Sequence, residues 1–247
     1  MGVRSAYSSR GAGRNRRLDD RGTHGRHSAA GSDAADDAYS PGGARMSEVE
    51  ARFDALVAGV VVPALKPLGY RKRKLSWSRE TPEAVHGITL QRSQGNAPDH
   101  LRFYVEVSAY VPDFARTVGA TVPNRLEKAT PQYSRRFESV IDWPGQWIDL
   151  ESWTDEDLHP AFDEALLQLD GHLAAIDTAP ALAEALRSGG PLNLDLFAWW
   201  CATGNTEGQA AQLAAAQAEF GQEDRWPRLL AQFERIAGRF GVVLPSM

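Results

Sequence analysis

The 247-residue chain has a single cysteine, Cys201, so no disulfide can close within it. A lone thiol fits a reducing compartment. No apolar run approaches the roughly 20 residues that a membrane-spanning helix needs. Glycine-rich phosphate loops are missing in both common spacings, and no serine sits in a nucleophile-elbow context. There is no HxxxH or CxxC spacing, and His159 and His172 are too far apart to ligate one ion from adjacent helical turns. Neither a metal nor another cofactor is therefore expected. Large apolar residues are almost missing before Arg45, and such a segment cannot bury enough surface to offset the entropy of ordering it. Residues 1–45 read as a disordered extension. Arg16 and Arg17 suggest a twin-arginine export signal, but Asp19, Asp20 and Arg21 follow Leu18 where an apolar stretch would be required. These absences point to a cytoplasmic protein without a membrane partner.

Charge divides unevenly. Up to Arg45 there are 8 Arg and 5 Asp; from Met46 onward 19 basic residues face 27 acidic ones, a net of −8. An acidic folded part argues against a nucleic-acid partner on electrostatic grounds. The basic run Arg71, Lys72, Arg73 and Lys74 reads instead as a charged strand edge that resists aggregation. A sharper alternative to a disordered tail makes Met46 the natural start, because Ser47 follows it as an N-cap with Glu50 three residues on. A chain beginning at Met46 is expected to melt like the full one.

From there the periodicities define an α+β fold: an antiparallel sheet of about five strands, an N-terminal helix and a C-terminal helical block. Val49, Phe53, Leu56, Val57, Val60 and Val61 keep a helical period, with a kink expected at Pro63. Strands are read at 70–79, 85–93, 101–111, 133–142 and 146–152, joined by short connections that favour antiparallel neighbours. The third is central: Leu101, Phe103, Val105, Val107, Ala109 and Val111 alternate with Arg102, Tyr104, Glu106, Ser108 and Tyr110. Residues 112–131 read as an irregular segment wrapping a sheet edge. Thr154, Thr178, Asn193 and Thr206 are candidate caps for the helices that follow. The α+β domain is expected to span 46–190 and a helical appendage 191–247.

Several of these features occur together in one order. A helix ends in Pro63, Leu65, Lys66, Gly69 and Tyr70, and a basic strand carries Trp77. Gln91 closes the second strand, Phe103 to Val107 alternate, and Trp147 to Leu150 form a late strand. The order resembles the bacterial family catalogued as domain of unknown function 4304, over roughly 48–173. The resemblance implies an α+β fold and a bacterial cytoplasmic setting; it implies no activity and no site residues.

Cys201 beside Trp199 and Trp200 reads as a buried, inert thiol. Asp155, Glu156, Asp157, Asp163 and Glu164 are the acids that helix starts normally carry rather than a catalytic pair. What remains is the polar face of the sheet. Tyr104, Glu106 and Tyr110, with Trp147 and Asp149 beside them if registers agree, put aromatic groups where water should reach. An ordinary solvated face needs no function. The expectation is a non-enzymatic accessory protein, toxin neutralisation being one such role, that binds a protein partner through these five residues. The alternative is a small-molecule hydrolase or transferase using Glu106 with Tyr104, Tyr110 or Asp149. An enclosed Glu106 would favour the enzyme, an open face the binding protein.

Overall fold

Ser47 opens the first helix as its spacing predicts, its Oγ accepting the Glu50 N–H at 3.3 Å. In the computed structural model, which describes residues 47–244, α1 (Glu48–Leu56) passes through a π-helical turn at Val57–Val61 into α2 (Val62–Leu65). The expectations for residues 1–45 lie outside the described residues. The π-turn sits just before Pro63, where the expected kink falls. Proline has no N–H for the helical ladder and its ring crowds the carbonyl four residues back; a wider turn relieves both. Val49, Phe53, Leu56, Val57, Val60, Val61 and Leu65 are all buried, each large one contributing about 1.5–3 kcal/mol.

The sheet is antiparallel and has six strands: β1 (Arg71–Arg73), β2 (Ser76–Glu80), β3 (Val85–Arg92), β4 (Arg102–Tyr110), β5 (Tyr133–Arg136) and β6 (Ile148–Asp149). The first five pair in sequence order, and β6 shares with β5 the far edge of β4. β4 is thus the central strand that its alternation indicates. The stretch 70–79 is not one strand but a hairpin, with Arg73 opposite Ser76 and only Lys74 and Leu75 between them. Lys74 has φ of 58°, a left-handed conformation that a lysine seldom takes, so the usual glycine or asparagine turn signal is lacking. The late strands are shorter than expected. β5 gives way to a 3-10 turn at Phe137–Ser139 that tucks Phe137 into the core, and β6 is two residues long.

Helices cover one face. Phe103 is fully buried between α1 and α4 (Asp155–Ala174), edge-on to Phe53 at 5.1 Å and to Phe162 at 6.0 Å. Thr154 caps α4 by accepting the Asp157 N–H at 3.2 Å. Residues 112–131 are not wholly irregular, because α3 (Pro112–Thr117) starts on a proline at its first position and buries Phe114. That ring stacks on Trp199 at 5.2 Å. Thr178 caps α5 (Ala179–Leu186) and Asn193 caps α6 (Leu194–Ala202), as the sequence indicates; α7 (Thr206–Phe220) is capped by Asn205 instead of Thr206. α6 sends Leu196, Ala198 and Trp199 into the main core. Its Phe197 and Cys201 join a second cluster with Leu213 of α7 and with Phe233 and Ala237 of α8 (Trp226–Arg239). Among the described residues no helix is long and apolar enough to cross a membrane.

One polar network is buried on the helical side of the sheet. Arg79 of β2 pairs with Asp170 of α4 at 2.6 Å, and Asp170 also accepts the Tyr70 hydroxyl at 3.0 Å. Burial, helped by Asp170, pushes the Tyr70 phenol well above its ordinary range. Arg79 Nη2 lies 3.2 Å from Nδ1 of His86, which is fully buried. Arginine can only donate, so Nδ1 accepts and the proton belongs on Nε2, 3.0 Å from Asp177 Oδ1.

Burial lowers the pKa of His86, and that of His172 as well. The sign follows. Below about pH 6.5 the unfolded histidines take up protons that the folded ones refuse. Their contribution is intact above that pH and falls as pH drops through it toward the depressed folded values. Urea midpoints at pH 7.5 and 5.5 should show the lower stability at 5.5, with a smaller difference in His86→Gln. An equal difference in the variant would remove His86 from the account.

Candidate functional site

Alternation along β4 places Arg102, Tyr104, Glu106 and Ser108 on the face opposite the helices. The β3 register sets Gln91 across from Tyr104, Thr89 across from Glu106 and Gly87 across from Ser108. On the other side β5 brings Arg136 opposite Glu106, and β6 brings Asp149 opposite Arg102. All of these side chains, and Trp147, are half-buried.

Their centre is an arginine–aromatic cluster. The Tyr104 ring meets Trp147 edge-to-face, centroids 5.1 Å apart. The Arg136 guanidinium carbon lies 3.8 Å from the Tyr104 centroid and 5.4 Å from that of Trp147. Arg102 stands 5.1 Å from Trp147. Each such cation–π contact contributes about 0.5–1 kcal/mol at an exposed site, and the aromatic pair about 0.5–1.5 kcal/mol, enough to hold the rings in place. Below them the Tyr104 hydroxyl donates to Gln91 Oε1, and Gln91 Nε2 donates to Glu106 Oε2 at 3.3 Å. Tyrosine, glutamine and glutamate therefore form one hydrogen-bonded line across two strands.

Arg136 is the member that sequence reasoning missed. Its signal was faint: a polar residue in an apolar-looking strand, whose position opposite Glu106 only the pairing reveals. Lys74 does not join this face, since it occupies the β1–β2 turn. Arg71 and Arg73 do share it by register, at the β1 edge, whereas Lys72 lies on the other side, 5.6 Å from the Trp77 ring.

Tyr110 is not where its alternation suggests a partner would find it. It is only 6% exposed, and it lines a crevice with Phe114 and with residues 128–132 of the segment leading to β5. That segment laps over this end of the sheet, its turn at Leu126–Lys128 lying against β2. Burial pushes the Tyr110 phenol up. Tyr110 and Glu106 are also four residues apart on one strand, about 13 Å. Asp149, opposite Arg102, is displaced from Glu106 by as much in the other direction. Glu106 has Tyr104 and Gln91 near it, whereas Tyr110 and Asp149, the other partners named for a hydrolase or transferase, lie about 13 Å away along the strands. Asp149 has different company: its Oδ1 accepts the Glu151 N–H at 3.1 Å and its Oδ2 is 3.7 Å from His100 Nε2.

On the helical side, Tyr133 and His172 are joined by a 2.7 Å hydrogen bond at a half-open crevice that Arg135 also lines. Cys201 is buried, and burial pushes its thiol up, as an inert core thiol requires.

Comparison with known proteins adds one match. The family described as Domain of unknown function (DUF4304) matches residues 61–162, inside the stretch whose motifs resemble it. The matched span runs from the π-turn to the first half of α4 and so contains the whole sheet. No curated protein and no solved structure matches the chain.

Proposed function

We propose that the protein is a non-enzymatic accessory protein of the bacterial cytoplasm that captures another protein on the open face of its sheet, toxin neutralisation being one such role. The observation that carries this is the cluster of Arg102, Tyr104, Arg136 and Trp147 on a face that solvent reaches. Tyrosine, tryptophan and arginine dominate binding energy at interface centres. Here they are held by one another and by Gln91, so little side-chain freedom is lost on binding. Glu106 sits in the same open face, held by Gln91 and distant from Tyr110 and Asp149. A net charge of −8 from Met46 onward supports a protein partner over a nucleic acid.

The test uses Tyr104→Ala combined with Trp147→Ala. Both side chains lie off the apolar core, so the variant should fold. Proteins retained by immobilised wild type from the native host are identified, and the leading one is titrated against both forms. Binding should weaken by about 2 kcal/mol or more, roughly thirtyfold, the usual size of a hot-spot loss. Glu106→Gln should leave capture nearly unchanged. A folded double variant with wild-type affinity for every partner would reduce the face to ordinary solvated surface.

A further inference from the structure

We propose that His100, Asp149 and Glu151 form a binding site for one divalent transition-metal cation of the zinc class. His100 is far in sequence from Asp149 and Glu151, which are two residues apart, and the β4–β6 pairing joins the three. Arg102 is opposite Asp149 and the Leu150 N–H bonds to the Leu101 carbonyl at 3.0 Å, a register that carries His100 to the position across from Glu151. Directly opposed side chains start about 4.5–5.5 Å apart at Cβ. One donor atom from each of the three lies within 4.8 Å of the others. Donors bound to one zinc ion at about 2.0–2.2 Å lie at most about 4.4 Å apart, so closure needs the imidazole to turn until one ring nitrogen faces both carboxylates.

The backbone beneath is fixed before any ion arrives. Asn96 grips Arg102 from both sides, accepting its N–H and donating to its carbonyl, each at 3.1 Å. Ala97 and His100 exchange backbone hydrogen bonds of 2.9 and 3.2 Å. The Glu151 N–H holds Asp149 Oδ1, which turns Oδ2 toward the imidazole. His100 Nδ1 is 3.2 Å from Glu151 Oε2 on its other side. All three groups are reachable from solvent.

The donor set selects the ion. One imidazole nitrogen and two carboxylate oxygens suit zinc, cobalt or nickel rather than magnesium or calcium, which prefer oxygen alone. Two carboxylates and a neutral imidazole also balance a charge of +2. The adjacent Arg102 guanidinium is turned away, toward Ser93 Oγ at 3.4 Å and the Trp147 ring at 5.1 Å. Three protein ligands leave a tetrahedral ion one open position for water or for an outside donor.

A histidine between two acids can also be a plain ion pair, and titration calorimetry separates the two. Zinc sulfate is titrated into the full chain, with magnesium chloride as the control, for the wild type, His100→Ala, Asp149→Asn and the pair His24→Ala/His27→Ala. The wild type and the His24/His27 variant should each take up one saturable equivalent of zinc and no magnesium. His100→Ala and Asp149→Asn should lose that equivalent or weaken it at least about tenfold, since even outer-shell changes at metal sites cost that much. Metal-free melting temperatures should match the wild type, and zinc should raise the melting temperature of the wild type but not of His100→Ala. The proposal is overturned if the wild type binds no saturable equivalent, or if the equivalent survives His100→Ala with unchanged affinity.

Discussion

Val105→Asp leaves no folded protein, while Ser108→Asp, three residues along the same strand, folds and melts close to the wild type. Val105 is completely buried at the middle of β4, opposite Leu90 and beneath the helices. A carboxylate there has no partner. Ionised it carries an uncompensated charge into an apolar setting, and protonated it still leaves polar oxygens unsatisfied. Losing the valine removes a further 1.5–3 kcal/mol or so of burial. The total is of the order of the whole stability of a domain, about 5–15 kcal/mol. Ser108 is half-exposed on the opposite face, and Gly87 across from it has no side chain to collide with a longer residue. Soluble yield and the circular-dichroism melt of the two variants decide the matter. Equal tolerance would mean that the faces of β4 are assigned the wrong way round.

Asp170→Ala costs about 3 kcal/mol, the second-largest loss expected. The carboxylate is only 16% exposed and its partner Arg79 17%, so solvent screens the pair weakly. Truncation strands the Arg79 guanidinium, removes the acceptor of the Tyr70 hydroxyl, and loosens the arginine that fixes the His86 tautomer. Breaking a buried pair from one side typically costs about 3–5 kcal/mol, and the residual exposure places this one at the low end. The loss comes mainly from the charge left behind. Arg79→Met combined with Asp170→Leu should therefore be more stable than Asp170→Leu alone, although it removes more polar contacts. Urea denaturation of the three variants measures this. A loss below about 1 kcal/mol in Asp170→Ala would show the network to be surface-like.

Signals confined to a few neighbouring residues were legible without the structure. Ser47, Thr154, Thr178 and Asn193 cap helices because a side-chain oxygen needs only an N–H two or three residues ahead. The alternation from Leu101 to Val111 identified the central strand and its two faces, because side chains along a strand point to opposite sides whatever its neighbours are. That reasoning also set Tyr104 and Glu106 on one side and Val105 and Val107 on the other. The acidic charge and the single cysteine are matters of composition alone.

The tertiary structure decided what covers each face and which distant residues meet. Lys74 turns the β1–β2 hairpin in a left-handed conformation that pairing imposes and residue type does not announce. Tyr110 has the same alternation as Tyr104 but lies under the segment before β5, and a strand's periodicity says nothing about which loop will cross it. Arg136 reaches Tyr104 only because β5 pairs with β4 in the register that sets it opposite Glu106. His100, Asp149 and Glu151 have no metal-ligand spacing in the chain, because two-residue β6 brings them together across an antiparallel pair. Local sequence specifies local geometry through short-range hydrogen bonds and sterics. Contacts between residues dozens of positions apart depend on strand register and on burial of the whole core, which no single segment encodes.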